Sequence, residues 1–167
     1  VTEIEESILV TDASSGDQEA FLALADACKE TVARIAYYVV GNRDEAEDVT
    51  SEAFLKAWMS LGTKKNDVPF RIWVSRIAKN AAIDRLRRRR PIPIDPDTNH
   101  HDEPEEILDV RRELMLLPVD MRLPVIMMYY DDMSIADIAK VMHIPEGTVK
   151  SRIHNAKERM RKRLGND

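Results

Sequence analysis

The chain has 167 residues, of which 44% are hydrophobic, 33% charged and 5% aromatic, with a formal net charge of −5. That length suits one ordinary domain or two small ones, and no run is long and apolar enough to predict a signal peptide or a membrane span. The single cysteine, Cys28, excludes an internal disulfide and suits a reducing cytoplasm, while five glycines among many helix formers point to an all-α fold.

The negative total hides an uneven distribution. Arg76 to Arg90 holds seven basic residues and one acid, Asp84; Gly147 to Arg163 holds seven and one, Glu158. Two basic segments on an acidic body are the electrostatic footprint of a nucleic-acid binder.

Residues 1–15 carry several acids, no Lys or Arg and a weak apolar pattern, which predicts a frayed or loosely docked start. Gly16-Asp17 opens a first long helix to about Val40, and Gly41-Asn42 stops it. A second helix runs from Asp44 to about Leu61. Ala46, Val49, Ala53, Phe54, Ala57, Trp58 and Leu61 give it a core stripe, and its first turns are acidic. Those acids suit the positive end of a helix dipole; the functional alternative is a docking face for a basic partner, and a metal site is the weakest reading, since no His lies nearby in the sequence. Gly62 to Asp67 is a polar loop. Pro69 suits the first turn of a third helix reaching about Arg89, and four consecutive arginines, Arg87–Arg90, close it.

Pro91 to Pro104 has four prolines, four acids and no core pattern, so it reads as an extended linker. Fourteen residues span at most about 45 Å. His100-His101 is a weak candidate for a metal, and no metal or cofactor is expected. A fourth helix follows over Glu105–Leu117, then another over about Val119–Tyr130. Pro124 either bends that helix or marks a later start.

Met133 to Leu164 organises the rest. Ser134 with Asp137 forms a capping box before the apolar face Ile135, Ile138, Ala139 and Met142. His143-Ile144-Pro145 breaks the run. A second helix buries Val149, Ile153, Ala156 and Met160 and turns Thr148, Lys150, Ser151, Arg152, Asn155, Lys157 and Arg159 outward. Short helix, tight turn, then a helix bearing basic and amide side chains is the pattern of a helix-turn-helix DNA reader.

The order of pieces resembles the extracytoplasmic-function (group four) sigma factors of bacterial RNA polymerase. The resemblance runs from about Gly16 to Leu164. It rests on Gly16-Asp17-Gln18-Glu19-Ala20-Phe21, Glu45-Ala46-Glu47-Asp48-Val49 and Glu52-Ala53-Phe54-Leu55-Lys56-Ala57-Trp58. Phe70-Arg71-Ile72-Trp73, Arg76-Ile77-Ala78-Lys79-Asn80 and Ile83-Asp84-Arg85-Leu86-Arg87-Arg88 continue it. Leu117-Pro118, Arg122, Ser134 to Ala139 and Ile144 to Arg152 complete it. Both halves in this order, with a linker between them, are far more specific than either alone. The helix-turn-helix by itself also resembles the output domain of response regulators.

The resemblance implies two small helical domains joined by an extended linker: residues 1–90, a linker over 91–104, and residues 105–167 with the helix-turn-helix. It implies docking on core RNA polymerase through Glu47, Asp48, Glu52, Phe54 and Lys56. The minus-ten promoter element would meet Arg76, Lys79, Asn80, Asp84, Arg87 and Arg88, with the 63–68 loop capturing a flipped-out base. The minus-thirty-five element would be read as duplex by Thr148, Lys150, Ser151, Arg152, His154, Asn155 and Lys157. An anti-sigma factor is implied as a further partner, a cytoplasmic location as the setting, and the minimal two-domain form as the architecture. The family often has Arg where Asn155 stands, and Gln where Ser51 stands. A stand-alone helix-turn-helix regulator is the alternative. An enzyme is not expected, for there is no glycine-rich phosphate loop, no zinc spacing and no nucleophile beside a base.

Overall fold

A computed structural model describes residues 1–88 and 104–165. Among them lie eight α-helices, one 3-10 turn and no strand. The helices are α1 Glu3–Ser14, α2 Gln18–Val40, α3 Arg43–Ser60, α4 Phe70–Arg88, α5 Glu105–Leu116, α6 Val119–Tyr129, α7 Ile135–Met142 and α8 Glu146–Arg163, with the 3-10 turn at Leu61–Thr63. The linker residues 91–103, the His100-His101 pair and Arg89-Arg90 lie outside the described residues.

Local chemistry sets most of the boundaries. Asp17 caps α2 by accepting from the amides of Glu19 at 3.0 Å and Ala20 at 3.2 Å. Gly41, at φ 72°, ends α2 in the left-handed conformation that costs glycine nothing. Asn42 then caps α3 through the Glu45 amide at 3.0 Å. Ser134 and Asp137 form the expected capping box on α7, and His143, also left-handed, turns the chain toward α8.

The expectation for residues 1–15 is corrected. Thr2 and Glu5 build a full capping box, and α1 is a regular helix. Leu9, Val10 and Ala13 pack it against the core, although Ile4 and Ile8 stay exposed. It also serves another helix. Glu6 Oε1 accepts from the Phe70 amide at 2.9 Å and so caps α4 across 64 residues of sequence. Pro124 neither stops nor delays α6, which runs on through it.

Two clusters fill the interior. One joins α1 to the starts of α2 and α4 and the far end of α3, around Phe21, Val32, Phe70 and Val74. Phe21 meets Trp58 and Phe70 edge-on at centroid distances of 5.1 and 6.0 Å. Such edge-to-face pairs add about 0.5–1.5 kcal/mol beyond area burial. The other cluster is larger and crosses between the two helical regions. Ile35, Val39 and Val49 from the first region share it with Leu114, Leu123, Ile126, Ile138, Val149 and Ile153 from the second. As a result α6 packs on α2, and α7 packs on α4.

Arg122 lies inside this shared core. Its guanidinium donates to the carbonyls of Leu114 at 3.0 Å, Met115 at 2.8 Å, Leu117 at 2.7 Å and Tyr38 at 2.5 Å. These carbonyls lie at the ends of α5 and α2, where main-chain acceptors lack a full set of helical partners and a cation also meets the negative end of each helix dipole. Burial lowers the Arg122 pKa to about 10, which leaves it charged at neutral pH.

Candidate nucleic-acid interface

In α8 the sequence places an apolar residue at every third or fourth position. Val149, Ile153 and Ala156 are buried against α6 and α7. The same spacing turns Lys150, Ser151, His154, Asn155 and Lys157 to the exposed face, with Thr148 and Arg152 half-buried at its margin. Two of these side chains already have internal partners. The Ser151 hydroxyl donates to the Gly147 carbonyl at 3.0 Å, and the Lys157 ammonium sits 4.9 Å from the centre of the Tyr129 ring. The structure thus brings all seven residues expected at a duplex onto one helix, five of them fully exposed.

The α4 residues are distributed differently. Arg76, Asn80, Arg87 and Arg88 are exposed, Asp84 is half-buried and Lys79 is buried. Burial pushes the Lys79 amine below its ordinary range; Arg76 pushes the same way, and Asp120 of α6 opposes. Asp84 pairs with Arg88 at 3.0 Å, one helical turn on. A groove of about 750 Å³ runs between the end of α3 and α4, lined in part by Lys56, Met59, Ile77, Lys79, Asn80, Asp84 and Arg87. Apolar floor and charged rim together suit an unstacked base with its phosphate.

Lys56, assigned to polymerase, lines this groove beside the minus-ten residues. No residue of the 63–68 loop lines it; Met59 and Ser60 at the end of α3 do. Arg76 and Arg88 stand outside the groove, and Arg88 lines a smaller cleft with Glu45, Glu52 and Arg85.

The acidic face of α3 is open at Glu47 and Asp48. Glu47 lies 3.7 Å from Arg43, Asp48 lies 3.5 Å from Arg85, and Glu52 contacts Lys56 at 2.9 Å and Arg85 at 3.6 Å. The Lys56 hydrogen bond, with Arg85 and Arg88 beyond it, holds Glu52 below the usual carboxylate range. Exposed pairs of this kind contribute about 0–1 kcal/mol each, so they orient the face more than they stabilise it. Phe54 is half-buried against the aromatic cluster. Arg85 ties α3 to α4 and Met59 lines the groove, and neither is among the residues expected at a site. Only the pairing of the two helices makes either one visible.

Residues 24–92 match the family described as Sigma-70 region 2, and residues 107–160 match Sigma-70, region 4. The chain is 30% identical to the ECF RNA polymerase sigma factor SigW of Bacillus subtilis, over 93% of this chain and 94% of that protein. It is 32% identical to the ECF RNA polymerase sigma-E factor of Escherichia coli, over 93% and 92%. Among solved structures, CnrH in complex with the cytosolic domain of CnrY superposes with a TM-score of 0.78 at 27% identity, over 98% of this chain and 99% of that one.

Proposed function

Because the chain belongs to the extracytoplasmic-function (ECF) sigma factors of the sigma-70 family, we propose that its two basic helices divide promoter recognition between them. The observation that carries this is the contrast in their surroundings: α8 presents a flat exposed row, whereas α4 borders a groove. A row of side chains on one helix suits a major groove, where phosphate contacts fix register and base-edge contacts read sequence. Asn155 supplies the amide that pairs with adenine. A groove suits a base that has left the stack, at a cost of a few kcal/mol. Core polymerase offsets that cost by binding the same chain.

In this reading residues 1–90 and 105–167 act as two domains on either side of the 91–104 linker. Glu47, Asp48 and Glu52 face the polymerase, with Phe54 anchoring α3 beneath them. Lys56, Asn80, Asp84 and Arg87 hold the minus-ten strand, with Arg76 and Arg88 on the flanking backbone. Thr148, Lys150, Ser151, Arg152, His154, Asn155 and Lys157 take the minus-thirty-five duplex. The protein works in the cytoplasm, and its further partner is an anti-sigma factor that covers these surfaces. No helix among the described residues is long and apolar enough to cross a membrane.

The test is binding of the labelled chain to bacterial core RNA polymerase, with and without Asp48→Arg. Nanomolar binding abolished by Asp48→Arg supports the assignment. Tight binding indifferent to that change moves the docking face elsewhere. A folded chain that ignores polymerase, yet binds duplex tightly and sequence-specifically, would restore the stand-alone regulator.

A further inference from the structure

The turn between α6 and α7, Tyr130-Asp131-Asp132, enters a polar notch of about 300 Å³ walled by Arg34 and Thr31 of α2 and Arg71 of α4. The Asp131 side chain is 2% exposed. Its Oδ1 accepts from the Thr31 hydroxyl at 3.0 Å and from the Arg34 guanidinium. Arg71 donates to the Asp131 carbonyl at 2.7 Å. The Arg34 guanidinium also lies over the Tyr130 ring, 5.8 Å from its centre. Thus one short turn of the second helical region holds two helices of the first.

This contact differs in kind from the apolar seam around it. Asp131 Oδ2 is buried and has no hydrogen-bond partner. Asp26, Glu30 and Asp132 also line the notch and add negative charge. Asp132 sits at φ 51°, in the left-handed region that few side chains tolerate. Ile126, Ile138 and Val39 pack without a directional bond, so by themselves they tolerate some sliding. A buried carboxylate with two fixed donors does not. Such a pair adds little net stability, because desolvation offsets its attraction, yet removing one partner is strongly unfavourable. A contact that is specific in register and weak in net energy is suited to being undone.

With the turn seated, α7 packs along α4 and Lys79 is buried, with Asp120 of α6 as its carboxylate counter-charge. We propose that the Asp131 turn is an intramolecular latch: it seats the second helical region on the first and keeps the Lys79 flank of α4 from DNA until it is released. The latch stands on geometry alone; only its effect on DNA rests on the minus-ten reading of α4.

The test measures the spacing of the two regions in the full chain. Dyes at Leu22→Cys and Lys162→Cys, both exposed positions, report energy transfer, while Cys28 is buried with its thiol pushed up to about 12 and does not compete for label. The otherwise unaltered chain gives one high-transfer population. Arg34→Glu sets a second carboxylate against Asp131 and raises the low-transfer fraction about tenfold or more. Thr31→Val, nearly isosteric and safe for folding, raises it several-fold. Unchanged transfer in both variants, at native helical content, overturns the latch, as does a low-transfer majority in the unaltered chain. Should Arg34→Glu lose helicity, Thr31→Val decides alone. Loss of polymerase binding with the latch response intact would count against the function and leave the latch standing.

Discussion

The helices α4 and α8 carry almost the same charge pattern and sit in opposite surroundings. On α8 the basic and amide residues stand on the exposed side of a helix whose buried side is small and aliphatic. On α4 the corresponding residues border a groove, pair with acids on α3 or, like Lys79, are buried. Charge is therefore alike on the two helices, whereas packing decides which of them leaves its basic face open. By that criterion α8 is open along its row, whereas α4 is open only in part.

The largest effect expected on this contrast comes from the anchor of α4. Phe70 is 1% exposed and touches Phe21 and Trp73. Phe70→Ala should cost about 3–5 kcal/mol of folding stability, read as a shift in the denaturant midpoint. Next comes Asn155→Ala on α8, which should relax preference at one base pair of the upstream element by about 1–3 kcal/mol without changing stability. Competition binding with single-base variants measures it.

Glu6→Ala leaves the Phe70 amide without its cap and should cost about 1 kcal/mol. Its thermal shift should equal that of Glu6→Gln only if charge, rather than the acceptor, carries the effect. A smaller change comes from Lys150→Ala, which should reduce the slope of log affinity against log salt by about 0.9. The same substitution at Lys79 should leave the slope of the closed chain unchanged.

The smallest effect concerns pH. Burial, opposed by Arg34 and Thr31, raises the Asp131 pKa above its ordinary 3.8. The folded chain then binds this proton more readily than the unfolded chain does. Asp131 therefore weakens stability as pH rises from 3.8 through its raised value, and the loss is relieved on acidification through the same window. Asp131→Asn should remove this component, seen as a difference between the two chains in midpoint against pH.

Much of this was legible in the residues because it is local. Asp17, Asn42, Ser134 with Asp137, and Gly41 announce helix ends through their own chemistry, and the spacing of Val149, Ile153 and Ala156 fixes which face of α8 is left exposed. The missed features all depend on pieces far apart in sequence. The apolar stripe of α1 is thin, with Ile4 and Ile8 exposed, so periodicity could not show that Glu6 caps α4. Lys79 is expected to face outward with Arg76 and Asn80, yet it is buried in the folded chain, with Asp120 of α6 near it. Asp131-Asp132 looks like a solvated turn until Thr31 and Arg34 are brought to it.

Arg122 has one more consequence. All four of its partners are main-chain oxygens. A salt bridge can be lost on one side and recovered by a second substitution on the other. This arrangement has no other side: no replacement at Tyr38, Leu114, Met115 or Leu117 removes the oxygen being bonded. Arg122 should therefore behave as a residue without a co-evolving partner. It is intolerant of Lys, which lacks the planar fork, whereas changes of side chain at its four partner positions act through core packing and leave the bonded oxygens in place so long as the helix ends stay where they are.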